Sequence, residues 1–345
     1  FMDSLTQIVL GAACGEIALG KKIGNKALLF GAVGGTIPDL DVFIGKLLYN
    51  NEIQAMAFHR GFMHSLLFAT IGAFLFGWFA YKFYNTGIRR ENTTQKDWIW
   101  LFFLSIFTHP LLDCFTPYGT QLFAPFSDYR VAFNNISVVD PLYTLPFLIC
   151  MIVVLFFKRT NIKRLKWTKI GIYISSCYML FTIGNKFYID AIFKRSFKQA
   201  GISVERFSAQ PSILNNILWY AVAESKDKYH LTFYSLLDKS NTANKIISID
   251  KNHDLIDIKT KNLKKLAWFS NNYYRISKSE ISKETIDTYT YTDLRYPMLN
   301  PDDINTSIFN FTIFKENKVW DILPFTGNPP SKKDFSLFFE RLKGI

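Results

Sequence analysis

Three short runs hold most of the residues able to do chemistry. Asp39 and Asp41 stand two apart after Pro38, His59 and His64 bracket Arg60-Gly61, and His109 and Asp113 stand four apart. A separation of four puts His109 and Asp113 on one helical face. Carboxylates mixed with imidazoles are a donor set suited to Zn2+ or Mn2+, and a set of this size can hold one ion or two. The chemistry such a centre supplies is hydrolysis: it activates water near neutral pH and stabilises charge developing on an ester or phosphoester oxygen. The metal-ligand candidates are therefore Asp39, Asp41, His59, His64, His109 and Asp113. Asp39, His64, Asp113 and Arg60 are the catalytic candidates, with one carboxylate available as general base instead of ligand. Arg60 offers a planar fork for a phosphate or carboxylate. Gln7, Glu16, Ser65, Thr120, Gln121, Arg130 and Asp140 are weaker candidates for supporting or substrate-binding roles.

Each piece alone has a plainer reading. An Asp after Pro38 can simply cap a helix. His59, His64 and Arg60 can sit at headgroup level, and His109 can mark a kink beside Pro110. Asp113 resists this treatment, because an unpaired carboxylate in an apolar helix is costly. Three of the five histidines belong to the set, whereas His230 and His253 have no such company. The joint occurrence favours one shared metal centre.

The elements that must position these residues are apolar. Segments 5–20, 27–37 (resuming at 42–48 after Pro38-Asp39-Leu40-Asp41), 65–84, 98–115, 142–157 and 170–189 read as membrane helices, one of them broken. Non-helical backbone at membrane depth is tolerated only against protein or a wet cavity. Gly31, Gly34 and Gly35, just before the break, allow a neighbouring helix to come close. The expected fold is thus a polytopic α-helical membrane domain of about five to six helices over residues 2–190. A soluble α+β domain follows over residues 191–345, with strands at 215–224, 229–237, 285–295 and 308–315 and a helix at 261–270. A mean hydropathy of only +0.08 is the average of these two unlike halves.

The formal charge of +12 could suggest nucleic acid. Basic residues in short connectors between apolar runs have another reading, the positive-inside bias, and no aromatic platform interleaves them. Lys21, Lys22, Lys26, Lys82, Arg89, Arg90, Lys96 and a basic run from Lys158 to Lys169 fall on one side of the expected topology. Only Lys46, Arg60 and Arg130 fall on the other. The first side is then cytoplasmic, and the termini, the polar cluster and the C-terminal domain are extracytoplasmic. Cys14, Cys114, Cys150 and Cys177 form no CxxC pair and read as small residues of apolar segments. Phe1 precedes Met2, taken as the native start, and Met2-Asp3 opens without a basic region, so no cleavable leader is expected.

Taken with their neighbours, these runs carry a resemblance. Pro38-Asp39-Leu40-Asp41, His59-Arg60-Gly61-Phe62-Met63-His64-Ser65, His109-Pro110-Leu111-Leu112-Asp113 and the block from Thr116 to Phe126 resemble the YdjM-like family of membrane-bound proteins regarded as metal-dependent hydrolases. The resemblance covers roughly residues 2–145 and implies a divalent metal and hydrolysis, without naming a substrate. Many relatives have Thr-His near the start where this chain has Thr6-Gln7, and Gln is a poor metal ligand. Glu16, on the same helix, lies about 13 Å further along the axis, too far to share one centre with Gln7; it could instead pair with Lys21 or Lys22.

The expected function is a metal-dependent hydrolase of the bacterial cytoplasmic (inner) membrane. Its substrate would be an ester or phosphoester of a lipid or lipid-linked molecule, and its partners membrane lipids, with no nucleic acid. A transporter, or a membrane anchor with a partner-binding soluble domain, is the alternative. The oligomeric state is open.

Overall fold

The computed structural model describes residues 4–49, 51–86, 92–243, 245–279, 288–298, 300, 306–307, 309–316, 319–323 and 331–345. Met2, Arg89 and Arg90 lie outside them, as do residues 285–287 and 308 of two expected strands. The chain divides into two units: residues 1–48, 58–184 and 213–215 in one, and 49–57, 185–212 and 216–345 in the other.

The first unit is helical. It contains α1 (Ser4–Ile23), α2 (Asn25–Thr36), a 3-10 turn Pro38–Leu40, α3 (Asp41–Leu48), a 3-10 turn Phe62–His64, α5 (Leu66–Tyr84), α6 (Gln95–Asp113) and α7 (Pro141–Leu155), with the first part of α8 (Lys163–Gln199). α1 and α2 meet backbone to backbone. Gly11 and Gly15 face Gly31 and Gly35, and a Cβ on any of the four would collide with a carbonyl of the other helix. Small residues four apart permit this approach. The far end of α1 is tied by Glu16, whose carboxylate takes the Arg164 guanidinium in two bonds of 2.9 and 2.6 Å, both side chains buried. Lys22 pairs with Asp97 instead, at the capping box that starts α6.

The expected five to six spans do not stand. Among the described residues, α5 alone is long and apolar enough to cross a membrane; α2 and the Pro38–Leu48 stretch pass together as one span bent by 45°. The other apolar runs fail for physical reasons. α7 has 15 residues, about 22 Å of helix against a hydrocarbon core of about 30 Å. α1 carries Glu16, Lys21, Lys22 and three glycines, and α6 opens on Gln-Lys-Asp and ends on His109 and Asp113. Ser175, Ser176, Thr182, Asn185 and Lys186 break the apolar run within the continuous helix α8.

The second unit holds α4 (Glu52–Phe58) up to Ala57, the rest of α8, and two antiparallel four-stranded sheets. One runs β1 (Arg206–Pro211), β2 (Leu218–Glu224), β3 (Lys228–Ser235), β4 (Ile246–Asp250). The other runs β5 (Tyr274–Lys278), β6 (Thr288–Asp293), β7 (Asn310–Glu316), β8 (Val319–Leu323). Ile189, Phe193 and Phe197 of α8 pack on Trp219, Ala221 and Tyr234 of the first sheet. Leu263 and Leu266 of α9 (Lys261–Phe269), with Ile53 of α4, pack on Ile276, Tyr291 and Ile313 of the second. A final helix, α10 (Lys332–Leu342), sets the Arg341 fork on Asp238 at 2.6 and 2.5 Å.

Across the first sheet Arg206 of β1 stands opposite Glu224 of β2 and bonds to it, while Lys251 reaches the same carboxylate at 2.8 Å. Burial alone would raise the Glu224 pKa, but Lys251 and Arg206 outweigh it and hold the carboxyl low. A depressed folded-state pKa stabilises above the unfolded value of about 4.3, and that contribution is lost as pH falls through the folded value. Chemical denaturation followed by far-UV circular dichroism should thus show an acid-side loss of stability that Glu224→Gln makes shallower. Gly31→Leu tests the other contact: it should destabilise by more than the ~1–3 kcal/mol typical of overpacking, because the obstacle is backbone. Its thermal midpoint in detergent would then fall clearly below that of a substitution at exposed Leu29.

Candidate metal centre

Four elements bring the expected residues to one place. Pro38 ends the first half of the bent span, so Asp39 emerges from a 3-10 turn and Asp41 opens α3. The turn Phe62–His64 delivers His64 just ahead of α5, where Ser65 caps the helix through Phe68 N–H at 3.0 Å. The last turns of α6 supply His109 and Asp113.

Four atoms face one another. His64 Nε2 and His109 Nε2 are 3.1 Å apart; Asp39 Oδ1 lies 3.5 and 3.4 Å from them, and Asp113 Oδ2 lies 3.4 and 3.5 Å from them. Five separations thus fall between 3.1 and 3.5 Å. Donors placed tetrahedrally around Zn2+ at about 2.0–2.1 Å are about 3.3 Å from each other, a spacing that His64 Nε2, His109 Nε2 and Asp113 Oδ2 match as a set of three. Asp113 Oδ2 is buried and makes no hydrogen bond among the described residues, a position that would otherwise cost about 1–3 kcal/mol. Donor chemistry and spacing fit a divalent ion, as does an oxygen that makes no hydrogen bond and, besides the two imidazoles, is paired to the Arg60 guanidinium at 3.3 Å. Three of the four side chains are sealed, at 0% exposure for His64 and 1% for His109 and Asp113, whereas Asp39 is 24% exposed.

A surrounding layer aims these donors. His109 Nδ1 meets the Gly35 carbonyl at 2.5 Å, and His64 Nδ1 lies 3.0 Å from Asp41 Oδ2. The acceptor at His109 Nδ1 favours the tautomer that leaves its Nε2 free as a ligand; the His64 contact is an ion-pair approach without a hydrogen bond. Gln7 donates to Asp113 Oδ1 at 2.9 Å and to the His109 carbonyl at 3.2 Å, leaving Oδ2 turned inward. Asp41 is fully buried and spends both oxygens on supports: His59 Nδ1 at 2.7 Å, Arg60 N–H at 3.0 Å and His64. Burial lowers the His59 pKa against the opposing pull of Asp41, so the ring favours its neutral form.

Arg60 is built into the wall. It is 4% exposed and donates to Thr116 Oγ1 at 2.7 Å; its Nε lies 3.3 Å from Asp113 Oδ2, and its guanidinium sits over the Tyr118 ring. Its φ of 60° is a left-handed conformation that costs a non-glycine residue on the order of 1–3 kcal/mol. The Arg60 backbone is held there from both sides, by Asp41 and by Gln121 N–H donating to its carbonyl at 3.0 Å.

The weaker candidates divide. Gln7 touches the donors directly. Arg130 also sits over Tyr118 and donates to the Gly119 carbonyl at 2.9 Å; Thr120, buried, pairs its backbone with Val131. Ser65 and Asp140 are helix caps, Asp140 also accepting from Tyr178 at 2.8 Å, and Glu16 is taken up by Arg164. Sequence reasoning missed the Gly35 carbonyl, Thr116, Tyr118 and Ser4, which donates to Asp39 Oδ2 at 3.2 Å. Thr116 and Tyr118 stand in the last family-like block, which was the available signal. A backbone carbonyl leaves none.

A sequence profile described as YdjM inner membrane protein matches residues 2–189, more than half of the chain. The uncharacterized protein YfhP of Bacillus subtilis (strain 168) is 32% identical over 147 residues, 41% of this chain and 42% of that protein. The inner membrane protein YbcI of Escherichia coli (strain K12) is 33% identical over 123 residues, 34% of this chain and 64% of that protein. The chain thus spans less than two thirds of either relative's length. No solved structure matches.

Arg60→Lys keeps the charge but loses the fork that spans Asp113 and Thr116. Supporting-layer changes typically weaken metal binding by about 10–100-fold. That drop is expected in chelator competition with Zn2+, whereas Arg130→Lys should bind Zn2+ as the parent protein does.

Proposed function

On the premise that this chain belongs to the YdjM inner membrane protein family and is an inner membrane protein, we propose that it is a metal-dependent hydrolase of lipid or lipid-linked esters or phosphoesters. The observation that carries this reading is the sealed triad of His64 Nε2, His109 Nε2 and Asp113 Oδ2, 3.1–3.5 Å from one another, with Asp39 Oδ1 beside the two imidazoles on the open side. His64, His109 and Asp113 would hold a divalent ion of the Zn2+ or Mn2+ class. Two groups of potential ligands can be drawn, His64–His109–Asp113 and Asp39–His59–His64. Both use His64, whose Nδ1 already faces Asp41, so its Nε2 serves one ion.

When bound, the ion would supply Lewis acidity and activation of water. Catalytic centres keep three protein ligands and leave one position for water or substrate, and Asp39, on the open side beside both imidazoles, would border that position. There its Oδ1 is placed to take a proton from an attacking water, with Ser4 steadying Oδ2. Asp41 fixes His64, Gln7 and Arg60 fix Asp113, and the Gly35 carbonyl fixes His109. Arg60 is thereby a positioning residue. Arg130, half-buried beside Tyr118, places a second cation next to Arg60.

The lipid substrate class rests on place. His64 precedes the first residue of the α5 span by two, and Asp39 lies at the break of the bent span. Lys82 in the last turn of α5 and Lys96 beyond it mark the other end of the helix, which by the positive-inside rule faces the cytoplasm and leaves the centre on the outer side.

Elemental analysis and phosphate release from phosphorylated lipids in mixed micelles test the assignment together. Near-stoichiometric metal is expected in the parent protein and none in His64→Ala or Asp113→Asn. Asp39→Asn should keep the metal while hydrolysis falls by about 100-fold or more, the usual weight of a general base. A parent protein that takes up neither Zn2+ nor Mn2+ would sink the hydrolase reading. Full activity in Asp39→Asn would remove its role as base.

A further inference from the structure

Beside the centre, the backbone of Thr120 pairs with Val131 in both directions, at 3.0 and 2.9 Å, and closes residues 121–130 into a loop. The foot of this loop is buried at Leu122 and Ala124. Its outer part is aromatic and bare: Phe123 is 51% exposed, Phe126 84% and Tyr129 66%, with Phe133 just beyond at 56%. Covering a side chain of this size is worth roughly 1.5–3 kcal/mol, so four left bare together call for an apolar or interfacial surrounding.

The structure also says where this loop is held. Leu66 N–H, at the first residue of the α5 span, donates to the Leu122 carbonyl at 3.0 Å, and Gln121 N–H donates to Arg60. A loop bonded to the first residue of a membrane-crossing helix sits where that helix enters the bilayer. Tyr129, an aromatic with a polar handle, is of the kind favoured at that level; the phenylalanines suit the adjoining acyl region, and Arg130 at the loop's end suits anionic headgroups.

We propose that residues 123–133 form an interfacial anchor seated in the headgroup–acyl boundary of a lipid leaflet, which fixes the depth of the neighbouring His/Asp cluster. The occupant of this surface is lipid. The proposal rests on family membership and the α5 span and is independent of hydrolysis.

The test places an environment-sensitive dye on Phe126→Cys in a Cys177→Ser background, the other three cysteines being buried. The protein is reconstituted into phosphatidylethanolamine–phosphatidylglycerol nanodiscs. Lipids spin-labelled in the headgroup, high on the acyl chain or deep in it are compared as quenchers with aqueous iodide. The expected result is strongest quenching by the shallow acyl label and at least several-fold protection from iodide. Free access to iodide with silent lipid labels overturns the proposal. Protection from both overturns it too, and points to a second copy or another protein on the loop. Phe133→Cys repeats the measurement should the first variant misfold. Asp113→Asn should leave the depth unchanged, which separates this outcome from the fate of the metal reading.

Discussion

A side chain on Gly11, Gly15, Gly31 or Gly35 would drive its Cβ into the facing backbone, so α1 and α2 run with their main chains in contact. Much of the centre's geometry depends on that approach. It brings the Gln7 side chain of α1 to Asp113 and the His109 carbonyl, and it sets the Gly35 carbonyl against His109 Nδ1. A bulkier pair of helices would stand 8–10 Å apart at ordinary packing distances, and α1 and α2 could not then both keep these bonds to α6. The glycines are thus remote from any chemistry and still decide where Asp113 and His109 point. Gly34, pressed on Ser105, extends the same tight fit to α6.

Asp41 and Arg60 translate this frame into a fixed donor set. Asp41 gathers His59, His64 and the Arg60 backbone, and Arg60 gathers Asp113, Thr116 and Tyr118. The two halves of the centre, one from the broken helix and one from α6, are therefore joined through a residue in strained left-handed backbone. Removing either partner of such a buried ionic network typically costs about 3–5 kcal/mol, because the other is left uncompensated. Strain at Arg60, on the order of 1–3 kcal/mol, does not exceed that figure, which is why the surroundings can hold it.

The cluster was legible in the sequence because buried imidazoles and carboxylates in apolar runs are expensive and few. Their division of labour was not. Asp39 and Asp41 are two residues apart and chemically identical, and only the fold turns one toward His64 and His109 Nε2 and the other toward Nδ1 of His59 and His64. Glu16 looked like a neighbour for Lys21 or Lys22 and meets Arg164, 148 residues away. The span count failed because α7 ends after 15 residues, while α1, α6 and α8 are long enough but carry too many polar and charged residues. In the second unit the aromatic strands β2 and β3 stood out. β4, β5 and β8, five residues each, have too little pattern of their own and depend on pairing with distant neighbours.

Charge gives the centre a further constraint. Asp39, Asp41 and Asp113 carry −3 when ionised and Arg60 carries +1, so with neutral imidazoles the cluster stands at −3 + 1 = −2. A group of that charge in a poorly hydrated bundle needs compensation close at hand. Protons on His64 and His109 would supply it only by aiming two N–H groups at one another across 3.1 Å, a repulsive arrangement. The proposed single divalent ion at the inward-facing atoms neutralises −2 and uses the lone pairs at the same time. It also explains why Arg60 lies against Asp113 and not among the imidazoles: a cation at the centre would take the ion's place, whereas one behind a carboxylate brings the net charge to the value a divalent ion matches.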